Sequence, residues 1–254
     1  GPQIDAAVRA AMSGDIQLGD LRGLRDLRAL QDLRVFRDQQ NRNHERDFRV
    51  TQESRETKTL KLGATGALEV RNIAGDITVT AVSGGDATVE IIKTSKAQND
   101  ADAKLGLEKV TVDTDQRPDR ASLIAHYPDG DRDRPPYSVS IAFHIKAPAG
   151  TRLTLSTLGG NLTVTDIKGD VSTSTHGRDT TVTNGRTVSV KSMGGTINLT
   201  GIDSDGTVEA QTLGGEVNLK QIKARRLQAL TGRGDVSAMD LNCDNPALGT
   251  MGGN

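Results

Sequence analysis

The chain has 254 residues, of which 34% are hydrophobic and only 2% are aromatic, and it contains no tryptophan. Its 32 basic and 33 acidic side chains give a net charge of −1, so the composition lacks the electrostatic signature of a nucleic-acid-binding protein. No apolar run approaches the roughly 20 residues of a membrane span. The single cysteine, Cys243, excludes an intramolecular disulfide, and we expect it to pack as a small apolar residue.

Residues 1–56 are polar and contain a six-residue repeat of Asp, Leu and Arg. From Leu18 to Phe36 every third position is apolar, so on an α-helix each apolar residue is rotated by about 60° from the previous one. The apolar track therefore winds around the helix and forms no single amphipathic face. We predict a helix over residues 15–38 that contacts protein on several sides. A solvated, partly ordered tail is the alternative, and contact with a membrane is left open.

Residues 57–150 predict β-strands that are interrupted by one short helix. The run from Asn99 to Leu107 favours a helix with Asn99 or Asp100 as its N-cap. Alternating apolar residues indicate strands on both sides of it, at 60–62, 68–70, 77–79, 87–91, 110–112, 122–125 and 138–145. Because 76–82 already follows the pattern of the later repeats, we expect the repeating structure to begin there.

After Gly150 a Gly-rich corner followed by an alternating strand recurs every 17–20 residues. Two inward-facing series share the steps 18, 17, 20 and 19, one through Leu162, Thr180, Ile197, Val217 and Val236, the other through Leu153, Val171, Val188, Val208 and Leu227. A fixed short period of strands is typical of stacked coils. The sequence therefore predicts an all-β chain, a parallel β-solenoid over 57–254, with an irregular first part (57–150) and regular coils (151–254).

Three phrases give the chain a family resemblance. They are Asn72 to Ile77 (NIAGDI), Ile145 to Leu153 (IKAPAGTRL) and the Gly-Gly corners. Together, over 57–254, they resemble the bacterial "putative adhesin" β-solenoid family of unknown function. The resemblance implies a parallel β-solenoid that lies outside the cytoplasm or at the envelope and that takes part in adhesion or envelope-stress sensing. It implies no catalytic residue, and the hexad segment departs from the family pattern.

Several short motifs have simpler structural explanations. Arg233-Gly234-Asp235 matches a cell-adhesion tripeptide, but Gly-Asp followed by Val or Ile recurs at other coil corners. Asp129, Asp131 and Asp133 lack the Gly and Glu positions of a calcium loop, so we expect a solvated charged loop. The histidines show no metal-ligand spacing; they are His44, His126, His144 and His176. We therefore predict no catalytic, cofactor-binding or metal-binding residue.

The outward strand positions are mostly Thr, Ser, Asn and Asp, and they predict a non-catalytic binding or structural module that is secreted or part of the cell envelope. A self-assembling filament or surface-layer subunit is the alternative. A carbohydrate-active β-helix enzyme is less favoured, because no aromatic residue follows Lys146 and no acid/base cluster is evident. Gly1-Pro2 matches a protease remnant, so we expect that a signal peptide has been removed.

The predicted partners are proteins, either another protein or a second copy of this chain. Thr250 to Asn254 repeats the corner from Thr157 to Asn161, so the last coil presents an open edge. Unpaired strand edges favour association unless something covers them. We expect contact through Leu18 to Phe36 and through this open C-terminal coil, and no nucleic-acid partner.

Overall fold

The computed structural model describes residues 48–128 and 135–253. The helix predicted over residues 15–38 and the charged loop from Asp129 to Arg134 lie outside the described residues. Within the described residues the predicted parallel β-solenoid is confirmed. No helix in these two ranges is long and apolar enough to cross a membrane.

The described elements are mostly short strands, with one helix between β4 and β5. They are β1 (Val50–Lys61), β2 (Ala67–Arg71), β3 (Ile77–Val82), β4 (Asp86–Ala97), α1 (Asp100–Lys109), β5 (Thr111–Arg117), β6 (Arg120–His126), β7 (Tyr137–Pro148), β8 (Arg152–Thr157), β9 (Leu162–Thr165), β10 (Val171–Thr175), β11 (Thr180–Thr183), β12 (Val188–Ser192), β13 (Ile197–Asp203), β14 (Thr207–Thr212), β15 (Val217–Thr231) and β16 (Val236–Thr250). β1 starts before the predicted boundary at residue 57. The helix has Asn99 as its N-cap, as predicted; its side-chain oxygen accepts from the Asp102 N–H at 2.9 Å.

The strands form two facing walls joined by corners. Wall A contains, in spatial order, β5, β6, β2, β8, β10, β12, β14 and the second halves of β15 and β16. Wall B contains β1, β4, β7, β3, β9, β11, β13 and the first halves of β15 and β16. From β8 onward the chain alternates between the walls, so each coil places one strand in each wall.

The coil register is the one that the sequence predicts. In wall B, Thr180 pairs with Leu162 and with Ile197, and Val217 pairs with Ile197 and with Val236. The second predicted series is aligned in the same way across wall A, through Leu153, Val171, Val188, Val208 and Leu227. All these pairs are parallel, so apolar side chains of successive coils lie above one another and form a continuous core.

The core fills the space between the walls with small aliphatic side chains. The predicted inward residues of wall B are almost fully buried; they are Leu162, Val164, Ile197, Leu199, Val217 and Leu219. Val236 is an exception to the prediction, because it is only half-buried. Among the described residues β16 has a strand on one side only, and so Val236 is packed from one side.

The order of the coils in space differs from their order in the sequence. β2 and β3 pair with β8 and β9 on one side and with β6 and β7 on the other. The long segment between β3 and β8 therefore adds a coil at the outer end of the solenoid. Antiparallel strands close that end, with β5 beside β6 in wall A, and with β4 beside β7 and β1 beside β4 in wall B. The helix α1 contacts β1, β4 and β7.

The Gly-Gly corners bring neighbouring coils into backbone contact. A side chain at Gly195 would place its Cβ against the carbonyl oxygen of Arg178 in the preceding coil. Hydroxyls reinforce the contact: Thr212 Oγ1 donates to the Gly195 carbonyl at 3.0 Å and accepts from the Gly215 N–H at 3.3 Å. The same pair of bonds recurs at Thr231 one coil further on, so each corner is fastened to the one before it.

The opposite corners use left-handed backbone conformations. In five successive coils one residue, placed just after the four residues that pair in wall B, has a φ between 55° and 66°. These residues are Asp166, Asn184, Gly201, Gln221 and Asp240. These positions follow the same steps of 18, 17, 20 and 19 residues. Asp, Asn and Gly tolerate this conformation best, and Gln221 is the exception.

We predict that Gly195→Ala lowers the free energy of unfolding by at least about 2 kcal/mol, because the added methyl group clashes with backbone that cannot move without separating two coils. Gly194→Ala is the matched control. The nearest atom to a Cβ there is the His176 carbonyl oxygen at 3.4 Å, so its effect should stay within about 0.5 kcal/mol. Chemical denaturation followed by circular dichroism measures both. Equal effects of the two variants would contradict the stacking constraint.

The coil formed by β10 and β11 has hydroxyls in its core. Thr173, Thr175 and Thr180 are buried, and their Oγ1 atoms have no hydrogen-bond partner among the described residues. An unpaired buried hydroxyl loses its hydration without compensation. This coil is therefore a weak layer of the solenoid.

We predict that Thr180→Val raises the free energy of unfolding by about 1 kcal/mol, because it removes an unpaired hydroxyl at nearly constant volume. Thr181→Val is the control, since Thr181 points outward on the same strand and is half-exposed. Thermal unfolding of both variants checks the prediction. A loss of stability in Thr180→Val would mean that its hydroxyl is hydrogen-bonded in solution.

Candidate functional site

A groove crosses the outer surface of wall A from β6 to β14. It has a volume of about 560 Å³, within the range of ligand sites, and it spans five strand spacings, about 24 Å. Outward side chains of neighbouring strands form its floor in register, in the order Glu69, Thr154, Ser172, Ser189 and Glu209. The short side chains of Thr and Ser thus lie between the longer side chains of two glutamates, and this difference in length forms the groove.

The two carboxylates of this row already have partners. Arg71 Nε donates to Glu69 at 2.6 Å. Glu209 accepts from Ser189 Oγ at 2.9 Å and from Gln211 Nε2 at 2.8 Å. Arg71 therefore neutralises Glu69, whereas the donors to Glu209 are uncharged and do not cancel its charge.

Two arginines lie at one end of the groove. Arg120 on β6 and Arg152 on β8 both lie beside Ala67 on β2, one on each side. Their positions are therefore about 10 Å apart, and the small side chain of Ala67 leaves the space between them open. Both arginines are exposed, and their side chains make no ion pair or hydrogen bond with any described residue. Asp170, which immediately precedes β10, is a further charged residue of the groove lining.

A second candidate surface is the free edge of β16. In residues 48–128 and 135–253, β16 pairs only with β15. Leu248 is in register with the buried Ala229 and is 43% exposed, whereas Met239 is in register with the exposed Lys220 and is 60% exposed on the outer face. Cys243 is half-buried and reduced, and packs against the core, as predicted for a small apolar residue.

The structure places the other sequence motifs apart from one another. Arg233 and Asp235 are exposed at a Gly corner, where the Gly234 N–H donates to Thr231 Oγ1 at 3.1 Å; the tripeptide is part of the corner ladder. His126 Nε2 on β6 lies 3.1 Å from Asp113 Oδ2 on β5, and His144 is exposed on β7. Among the described residues no group of three or more His, Cys, Asp or Glu side chains could hold a metal ion.

The groove arginines were missed by the sequence reasoning. Arg120 lies in the inserted segment and Arg152 in the first regular coil, and only the pairing of β2 with both β6 and β8 brings them together. The sequence feature that they share is their position before an inward-facing residue: Arg120 precedes Ala121, and Arg152 precedes Leu153. That signal becomes informative only once the spatial order of the coils is known.

His176 occupies a corner position where other coils have apolar residues. It aligns with Leu158 and Met193, and burial lowers the pKa of its imidazole. The folded state therefore favours the neutral ring, and its contribution to stability is full above the unfolded pKa of about 6.5 and is lost as the pH falls below it.

We predict that His176→Met makes the stability of the fold less dependent on pH between about 7 and 5, because methionine suits the corner and does not titrate. Melting temperatures across this range compare the variant with the unchanged chain, and His144→Met is the control for an exposed histidine. The prediction fails if the two variants show the same pH dependence.

Comparisons with known proteins find solved structures of low sequence identity. No family model matches the chain, and no curated protein matches it either. A "putative cell adhesion protein" from Clostridium sporogenes is 9% identical with a TM-score of 0.35, over 80% of this chain and 100% of that one. A "putative adhesin" from Bacteroides fragilis is 14% identical with a TM-score of 0.35, over 79% and 97%. The chain is similar to "putative adhesins".

A further solved structure is described differently. It is a "putative lipid binding protein" from Parabacteroides distasonis, 13% identical with a TM-score of 0.33, covering 78% of this chain and 95% of that one.

Proposed function

We propose that this chain is a non-catalytic, protein-binding β-solenoid module that is secreted or lies at the bacterial cell envelope. Its role is adhesion, protein interaction or envelope-stress sensing, as the sequence resemblance implies. The observation that carries the proposal is the edge of β16, which is unpaired among the described residues and where Leu248 is exposed in a row of the core. Exposed apolar patches beside unpaired strand edges mark sites of protein contact.

The backbone of β16 favours a partner that supplies a strand edge. In the coils that precede β16, each inward-facing residue donates its backbone N–H to the next coil. Leu153 donates to the Asp170 carbonyl at 2.8 Å, and Val217 donates to the Asp235 carbonyl at 2.9 Å. By the same pattern, inward N–H groups of β16 point away from β15. Pro246 is an exception, since it has no N–H. Carbonyl groups of another strand would satisfy these donors, as in strand addition to a sheet edge.

The partner that best fits this edge is a second copy of the chain. β16 spans both walls, so the edge presents two strand segments on either side of one core, and the β16 edge of another copy matches both. Filament growth requires this edge to stack on the opposite end instead. There β1 exposes Glu53, Arg55 and Glu56, and charged edge strands oppose such pairing. Two β16 edges related by a two-fold axis form a closed pair.

We predict that Leu248→Lys reduces self-association of the 254-residue chain by at least about tenfold, because pairing would bury a charge at the centre of the contact. Met193→Lys is the control, since Met193 is 39% exposed at a corner three coils away. Light scattering and sedimentation across a concentration series measure both. An intact chain that stays monomeric throughout would overturn self-association.

The N-terminal segment is tested separately by deleting residues 1–47. We expect Leu18 to Phe36 to add protein contact, so the deletion should weaken self-association while β16 still drives it. An unchanged oligomeric state would show that this segment contributes nothing to association. Complete loss would show that the segment, and not β16, is the contact site.

A further inference from the structure

We infer that the groove across wall A is a binding site for an anionic polysaccharide, which Arg120 and Arg152 hold by its carboxylate or sulfate groups. The site lies on the outer face of the solenoid and is distinct from the β16 edge. The inference is therefore independent of the proposed protein contact.

The two arginines make one end of the groove attractive to an anion. Arg71 neutralises Glu69 there, Glu209 lies at the far end, and the guanidinium groups of Arg120 and Arg152 have no partner among the described residues. A guanidinium group binds carboxylate or sulfate oxygens through paired N–H donors. The gap above Ala67 gives an anionic group access to both arginines. Asp170 limits binding of anionic groups to the arginine end, because its carboxylate repels a second anionic group from the middle of the groove.

The shape of the groove suits a polymer that runs across the strands. Between Asp170 and Glu209 the lining carries hydroxyl groups on strands about 4.8 Å apart, including those of Ser172, Ser189 and Thr207. A hydroxyl both donates and accepts, so it matches the hydroxyls of a sugar chain. The groove has no aromatic side chain, and recognition therefore depends on charge and hydrogen bonds.

An extended peptide fits the same groove less well. Peptides that bind to sheets use free backbone groups at an edge, but the central strands beneath the groove are paired on both sides. Their backbone N–H and C=O groups are therefore committed to the ladder. Nucleic acid is disfavoured by the even overall charge of the chain.

Binding of polygalacturonate and of heparin to the full chain tests the inference, with dextran as the neutral polysaccharide and poly-L-glutamate as the acidic peptide. We expect at least one of the two anionic polysaccharides to bind, the better one identifying carboxylate or sulfate. Dextran should not bind, and poly-L-glutamate should bind at least about tenfold more weakly than that polysaccharide. The inference is overturned if neither anionic polysaccharide binds, if dextran binds equally well, or if poly-L-glutamate does.

Variants of the arginines locate the site. Arg152→Gln and Arg120→Gln should each weaken binding by about tenfold, since each removes a charge-assisted hydrogen-bond donor. Arg226→Gln is the matched control, because Arg226 is exposed and pairs in register with Thr207 but lies outside the groove lining. All three side chains are exposed, so melting temperatures should stay unchanged. An equal loss in Arg226→Gln, or no loss in the groove variants, would overturn the assignment.

Discussion

The fold depends on one constraint, which is that each corner must approach the corner of the preceding coil at backbone contact distance. The glycines at these corners remove the Cβ that would hold the coils apart, and Gly195 beside the Arg178 carbonyl is the clearest case. Hydroxyl and carboxamide groups then use the short distance: the Asp179 N–H donates to Asn161 Oδ1 at 3.3 Å, and the Thr196 N–H to Asp179 Oδ1 at 2.9 Å. Because the corners fix the spacing, the apolar residues of each wall fall above one another.

The regular coils could be predicted from sequence because each element is local. Apolar alternation and the Gly corners determine which residues face inward, so the pairing of Thr180 with Leu162 and Ile197 follows from the steps alone. The spatial order of the first coils could not be predicted. β6 and β7 stack on β2 and β3 through contacts between distant residues, and no periodic signal records that arrangement. The groove depends on it, and for that reason Arg120 was not predicted as a site residue.

The two candidate surfaces arise from different properties of a solenoid. The wall A groove results from side-chain identity at outward positions, where packing places few demands and sequence is free to vary. The β16 edge results from the backbone, whose hydrogen bonds and apolar rows continue as far as the last described coil. Outward substitutions can therefore change the groove without changing the register, whereas a change at an inward position such as Val217 affects every neighbouring coil.

The insertion of a coil between β3 and β8 has a consequence for the order of folding. Successive regular coils pair residues 17–20 positions apart, whereas the backbone N–H of Asn161 bonds to Asp76, 85 positions away. Loop closure over the longer separation costs more entropy and slows pairing. The regular coils should form first and propagate from neighbour to neighbour, and the capped end should dock afterwards. Until it docks, β8 and β9 present a temporary edge of the same kind as β16, and a newly made chain is then most prone to join the wrong partner.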